Sequence, residues 1–336
     1  MSITELYLYA IIISMIRVLL CSRNGERYIA EQIDSILSQS IGDIVLHIYD
    51  DASSDGTRDI LRAYKARYPE RIVLTFRDIP TGSACANFMN AVHEAPDADY
   101  YMLSDQDDIW AHDKAERLQE AIRHLESTDG SPGSSSPALV FCDAKLIDGT
   151  GKELAPSWAA YQHLSPKRTA LNQLLIMNQV TGGACILNRA LRDILVSVPV
   201  PQAAVMHDHF IALTAAAFGR ISYLDKPLYS YRQHGDNELG AQKAGLIKEV
   251  SERLGFGQAS REEADARSAS VYKAIFDQAD EFGRLYGEKL KDRDARTVAA
   301  FASMRGMSRP VKILTVIRYG FTFDTFYRTI GEFLFI

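Results

Sequence analysis

The chain has 336 residues, 47% apolar and 24% charged, with 37 Lys and Arg against 43 Asp and Glu for a formal net charge of -6. That balance belongs to a folded chain with ample core, and it excludes disorder, collagen-like repeats and polytopic membrane architecture. The acidic excess excludes a broad nucleic-acid surface, which needs a dense basic face, so no nucleic-acid partner is expected.

Residues 1–15 read as an N-terminal extension. The stretch Leu6 to Leu20 is apolar, but it is too short to span a bilayer once Ile16 to Cys21 is taken as a strand. It also lacks the basic segment and small-residue cleavage site of a secretory signal. From there strands and helices alternate. Val18, Leu19 and Leu20 form a short apolar run, and Ile29, Ile33, Ile36 and Leu37 follow at helical spacing. Ile44 to Tyr49 is a second strand; Ile60, Leu61, Tyr64 and Tyr68 mark one face of a helix opening after Ser54-Asp55-Gly56. Ile72 to Phe76 and Tyr100 to Leu103 flank a helix near Ala84 to Ala95, and Leu118, Ala121, Ile122 and Leu125 mark another. Asp129 to Pro137, dense in Ser, Gly and Pro, reads as a mobile surface loop. Short strands at Ala138 to Cys142, Ile221 to Leu224 and Leu228 to Tyr231 follow, and residues 243 to about 300 are helix-forming. The order predicts an α/β domain over 16–240, built on a mostly parallel sheet with ligands beyond the carboxyl ends of its strands, then a helical region over 241–336.

The cysteines at 21, 85, 142 and 185 form no Cys-x-x-Cys pair, which argues against a zinc knuckle or redox motif and for buried free thiols in a reducing cytosol.

Two acidic constellations fall at strand ends. In Asp50-Asp51-Ala52-Ser53-Ser54-Asp55-Gly56-Thr57, a carboxylate can accept the imide N–H of a uracil or thymine ring; the plainer reading is an acidic helix cap. In Ser104-Asp105-Gln106-Asp107-Asp108-Ile109-Trp110, three carboxylates within four residues repel one another and call for a compensating cation. Hard oxygen ligands at i and i+2 suit Mg2+ or Mn2+, which complete their shells with water and phosphate oxygens. The chain has no Gly-x-x-x-x-Gly-Lys-Ser/Thr, no Gly-x-Gly-x-x-Gly after a strand, no Gly-x-Ser-x-Gly and no His-Glu-x-x-His. A metal-bridged nucleoside diphosphate remains as the site type.

These two segments, together with Ser22-Arg23-Asn24, resemble the family 2 glycosyltransferases, inverting enzymes of GT-A fold. The Asp-Gln-Asp-Asp-Ile-Trp form resembles the bacterial rhamnosyltransferases of cell-surface polysaccharide synthesis. The similarity covers residues 16–240 and implies a Rossmann-like, mostly parallel central sheet flanked by helices. It implies a nucleotide-diphosphate sugar donor, dTDP-L-rhamnose ahead of a UDP-hexose or UDP-N-acetylhexosamine. The acceptor it implies is a saccharide or a polyprenyl-diphosphate-linked oligosaccharide.

Carried over position by position, the resemblance gives Asp50 the pyrimidine base, with Asp51 and Arg23 beside it and Ser22 and Asn24 on the same donor side. Asp105 holds the ribose or sugar, and Asp107 binds Mg2+ or Mn2+. Gly82, Ser83 and Asn87 open a helix whose N-terminus suits a diphosphate or sugar hydroxyl, although a ligand-free helix start has the same pattern. Thr181-Gly182-Gly183 corresponds to an acceptor-side glycine loop, with a tight core turn as its alternative, and Trp110 and His207 are grouped with the acceptor. Asp208, in Met206-His207-Asp208-His209-Phe210, corresponds to the base that takes the acceptor proton; His207 or His209 could compete, and a structural cap is the plainer reading. Arg232 and His234, in the turn after the last strand, suit the leaving diphosphate, with His234 also reaching its metal.

From Arg309 to Ile336, aromatic residues interleave with four basic and two acidic residues, a composition suited either to an anionic bilayer or to packing on the domain. With a lipid-linked acceptor, the expected location is cytoplasmic, peripheral on the inner face of the membrane. Two other function classes remain. A nucleotidyltransferase would need a basic, glycine-rich loop, of which Ser22-Arg23-Asn24-Gly25 is a poor version. A non-catalytic sugar-nucleotide-binding scaffold is disfavoured by intact Asp105, Asp107 and Asp208.

Overall fold

The computed structural model describes residues 15–128, 136–234, 261–323 and Thr329. The expected extension up to residue 14, most of the 129–137 loop and most of the tail beyond Phe323 lie outside the described residues. The N-terminal half follows the alternating pattern: β1 (Ile16–Ser22), α1 (Ile29–Leu37), β2 (Ile44–Asp50), α2 (Thr57–Arg67), β3 (Ile72–Phe76), α3 (Ala84–Glu94), β4 (Tyr100–Ser104), β5 (Ile109–Trp110) and α4 (Lys114–Ser127). β1 and β2 are buried almost throughout, as central parallel strands covered on both faces must be. α1 turns Ile29, Ile33 and Ile36 onto the sheet at i, i+4 and i+7.

The second half contributes β6 (Ala138–Asp148), β7 (Glu153–Ala155), α5 (Trp158–Tyr161), α6 (Leu171–Ile176), β8 (Cys185–Asn188), α7 (Arg189–Val196), α8 (His207–Phe218) and β9 (Arg220–Gln233). All strands join one nine-stranded sheet in the order β3-β2-β1-β4-β8-β6-β9-β5, with β7 beside β6. β1, β2, β3 and β4 pair in parallel, as do β6 and β9, whereas β8 runs antiparallel between β4 and β6. The sheet is therefore mixed and parallel-dominant, the GT-A arrangement. The two strands expected at Ile221 and Leu228 are one strand, continuous through a register shift near Pro227.

Strand order reverses between β1 and β4, so the carboxyl ends of β1, β2 and β4 open onto a shared crevice at the switch point. The four cysteines are free and buried, and burial pushes the thiols of Cys142 and Cys185 up to about 11 and about 12, which keeps them protonated.

Three further helices, α9 (Arg261–Tyr286), α10 (Asp292–Ser303) and α11 (Arg309–Tyr319), share a core with the sheet layer. Phe282 and Tyr286 of α9 meet Phe210 of α8, with ring centroids 5.6 and 6.1 Å apart. Phe301 of α10 meets Phe321 at 4.9 Å. α11 ends at Gly320 in the left-handed region (φ 68°). Asn172 of α6 donates to the Tyr319 and Gly320 carbonyls, and Arg168 donates to Thr322. No described helix is long and apolar enough to cross a membrane.

Candidate active site

A cleft of about 550 Å³ lies at the carboxyl ends of the parallel strands. The loops after β1, β2 and β4 form one side, and Asn178–Gly182 with the start of α8 form the other. Ser22, Arg23, Asp51, Gly82, Ser83, Asn87, Asp105, Asp107, Thr181, Gly182, His207 and Asp208 all line it. Six other sequence candidates do not.

The Asp50–Asp51 pair divides its work because successive side chains leave a strand on opposite sides. Asp50 is fully buried. It accepts from Arg58 Nε (2.6 Å), Ser53 N (3.2 Å) and the Ser53 hydroxyl, so it braces the loop and does not face the cleft. Asp51 faces the cleft, held by Thr81 N (2.7 Å) and Thr81 Oγ1 (3.0 Å), with the half-exposed Arg23 guanidinium 3.8 Å away. Asp50, expected to contact the base, thus lies outside the cleft lining, and Asp51 is the carboxylate of the pair that lines it. Asn24 is also a brace: it adopts φ 51°, and its side-chain oxygen accepts from Ser54 N at 2.9 Å.

After β4, Asp105 and Asp107 line the cleft and Asp108 turns inward, 1% exposed. Burial, reinforced by Asp107 and Asp105, raises the Asp108 carboxyl well above the usual range. Gln32 of α1 pins this loop: it donates to the Asp108 carbonyl (2.6 Å) and accepts from Trp110 Nε1 (3.1 Å) and Ser104 Oγ (2.6 Å). Trp110 is thus core, 4% exposed, and the acceptor contact expected of it is corrected. Arg232 is buried as well. Its Nε donates to the Asp107 carbonyl (2.8 Å), its terminal nitrogen to Glu31 (2.6 Å), and it lies over the Tyr28 ring. It braces the acidic loop from behind and lies outside the cleft lining, where contact with a diphosphate was expected. His234 stands at the rim, with Nε2 2.8 Å from Asp107 Oδ2 and its ring 5.0 Å from Tyr28.

No three His, Cys, Asp or Glu side chains among the described residues form a ready-made metal cage. Asp107 and His234 form a two-donor pair, which fits an ion that takes most of its shell from phosphate oxygens and water. A carboxylate–imidazole pair suits Mn2+ at least as well as Mg2+.

On the other side, Asp208 occupies the first turn of α8. It accepts from Gly182 N at 3.0 Å and from Asn178 Nδ2 at 2.9 Å, and burial pushes its carboxyl up to about 6 against those bonds. A carboxyl with that value is a stronger base than an ordinary one and still ionised at neutral pH. The two histidines flanking Asp208 are placed differently. His209 is tied to Leu174 O (2.6 Å) and Gln278 (3.2 Å), and burial lowers it to about 4. His207 stacks on Phe88 at 4.0 Å, and burial lowers it to about 3. Both His207 ring nitrogens are buried and lack a partner among the described residues, so His207 lines the cleft without presenting an accessible nitrogen to it.

Gly182 is required there, since a Cβ would lie 2.3 Å from His207 Nε2. Gly183 lies behind the wall, where its carbonyl accepts from Lys114; its expected acceptor contact is corrected to a backbone joint. Sequence reasoning missed Asn178 and the aromatic side formed by Trp158 and Tyr231, whose rings are 4.8 Å apart.

Residues 17–144 match the family model described as Glycosyl transferase family 2. The chain is 29% identical over 242 residues to the dTDP-rhamnosyl transferase RfbG of Shigella flexneri, covering 69% of this chain and 76% of that protein. It is 36% identical over 106 residues to the putative teichuronic acid biosynthesis glycosyltransferase TuaG of Bacillus subtilis, across 32% of this chain and 41% of that one. In structure it is similar to S. aureus TarS 1-349 in complex with UDP-GlcNAc, with a TM-score of 0.53 and 16% identity over 95% of this chain and 90% of that one.

Proposed function

We propose that this chain, whose residues 17–144 match the Glycosyl transferase family 2 model and whose fold is of GT-A type, is an inverting enzyme moving L-rhamnose from dTDP-L-rhamnose to a saccharide acceptor. The observation that carries the mechanism is that Asp107 and Asp208 come from different walls and open onto one cleft. The named likeness to a dTDP-rhamnosyl transferase supports the choice of donor.

Asp51 receives the imide N–H of the thymine ring, with Arg23 beside it. Asp105 takes the ribose or sugar hydroxyls, and Ser83, at the N-terminus of α3, offers a helix start to an anionic group. Asp107 and His234 would hold a divalent ion, which when bound would offset charge growing on the departing diphosphate. The acceptor oxygen forms its bond to the anomeric carbon as the bond from that carbon to the phosphate oxygen breaks. The electron pair leaves on the diphosphate, and the acceptor proton passes to an Asp208 oxygen. Trp158 and Tyr231 give a sugar an apolar wall.

A lipid-linked acceptor is part of this reading. α11 exposes Val311, Leu314 and Ile317 on one face, carries Arg309, Lys312 and Arg318, and contains no acidic residue. That composition supports peripheral contact with an anionic inner leaflet.

The test is diphosphate-nucleotide release from dTDP-L-rhamnose, UDP-glucose and UDP-GlcNAc, each with Mg2+ or Mn2+, with the product anomer assigned by NMR. Preferential use of dTDP-L-rhamnose with inversion is the expected result. Retention of configuration, or nucleotide binding without turnover of any donor, overturns the reading.

A further inference from the structure

Lys114, the first residue of α4, is completely buried. Its Nζ sits 3.6 Å from the centroid of the Trp110 ring and 4.6 Å from that of Tyr229, and it donates to the Gly183 carbonyl. An ammonium group taken out of water is costly unless acceptors, π faces or counter-charge replace its hydration. The Gly183 carbonyl and the two ring faces supply the first two, and Asp108 is buried nearby.

The surroundings make this cage a joint between the two walls of the cleft. Gly183 is pressed against the acidic loop, since a Cβ on it would lie 3.0 Å from Asp108 Oδ2 and 3.3 Å from Asp105 Oδ2. Asp108 Oδ2 has no hydrogen-bond partner among the described residues, which leaves it facing this joint. One peptide unit earlier, Gly182 N donates to Asp208. A short path therefore runs from the acidic loop through Lys114 and the Gly182–Gly183 turn to the base.

We propose that Lys114 is a positioning residue: by fastening the Gly183 carbonyl over the Trp110–Tyr229 cage, it fixes where Asp208 stands relative to the acidic loop that holds the donor. It touches no substrate. The inference rests on the reading of Asp208 as the base, while its mechanical content stands apart from that reading.

Two measurements keep the two separable. Amide hydrogen exchange followed by mass spectrometry reads the joint without turnover: in Lys114→Met the segment 178–185 loses protection by tenfold or more, while β1 and β2 keep theirs. Donor hydrolysis with dTDP-L-rhamnose reads the consequence. The kcat falls about 10²-fold, the penalty of roughly 1 Å of misplacement, while affinity for dTDP by calorimetry changes less than threefold. A merely structural role lowers both in proportion to the folded fraction. If Lys114→Met does not fold, Gly183→Ala drives a methyl group against Asp108 with Lys114 intact and is expected to show the same split. Unchanged exchange at 178–185 in the folded variant overturns the inference. So does normal exchange elsewhere with kcat and dTDP affinity falling together. Altered exchange in a protein that turns over no donor overturns the base assignment alone.

Discussion

Replacing Asp208 with Asn separates activity from stability, and the structure gives the sign of each. The folded carboxyl titrates near 6, raised by burial from its ordinary 3.8. Between those values the folded state keeps a proton that the unfolded state has released, so stability falls as pH rises from about 4 to about 6 and stays reduced above. The gap corresponds to at most about 3 kcal/mol against folding at neutral pH. Asn removes that cost but leaves one of the two donors, Gly182 N or Asn178 Nδ2, facing an amide N–H, which returns about 1–2 kcal/mol. The net expectation is a gain of about 1 kcal/mol at pH 7.5, or roughly 2 °C in Tm. The same variant loses the base, worth about 10²- to 10⁴-fold in kcat. Calorimetry at pH 7.5 and at pH 4, with donor turnover measured in parallel, checks both. A variant less stable than the parent at pH 7.5, or one keeping more than a tenth of its activity, refutes the account of a buried, ionised base.

Other perturbations follow from single contacts. The wild-type kcat should fall tenfold per pH unit below about 6, and Asn178→Ala should move that acid limb upward by roughly 1 unit, since it removes a bond to the ionised form; a pH–rate profile reads this, and an unmoved limb counts against Asp208. Asp107→Ala should abolish the enhancement of dTDP affinity by Mn2+ in calorimetry while leaving metal-free affinity nearly unchanged. Gly182→Ala forces a methyl group onto the His207 ring and should cost about 1–3 kcal/mol in denaturant unfolding. Glu281→Ala strips acceptors from the amides of Gln202 and Ala203, in the loop leading to Asp208, and should cost about 1–3 kcal/mol with a larger loss in kcat than in donor affinity. Leu314→Asp with Ile317→Asp should abolish flotation with vesicles rich in phosphatidylglycerol and leave turnover of soluble donor intact; unaltered flotation removes the membrane contact.

The parallel half of the sheet was legible because β1, β2 and β4 are buried on both faces and read as apolar runs, two of which, β2 and β4, lead into acids. The antiparallel β8 was not, because four residues, Cys185–Asn188, give too short a run for periodicity to act on. Within the site, the acidic clusters announced the cleft but not which acid faces it. That depends on strand pleat at Asp50–Asp51 and on the inward turn of Asp108, which only pairing partners fix. Nothing in the sequence singles out Lys114; its burial depends on Tyr229 and Gly183, far along the chain. Gln278 and Glu281 sat in a segment rich in Ala, Glu and Lys that resembles a solvated helix, yet both are buried against the loop before α8.

The late arrival of β8 and β9 matters during synthesis. Roughly 120 residues separate Trp110 from Tyr229, so at ~5–20 residues per second a nascent chain spends on the order of 10 s with half of the Lys114 enclosure still unmade. Until Cys185–Asn188 emerges, β4 is also an open edge beside a hydrated ammonium. Pausing before Cys185 should lengthen that exposure, and codon choice in this stretch becomes a determinant of soluble yield.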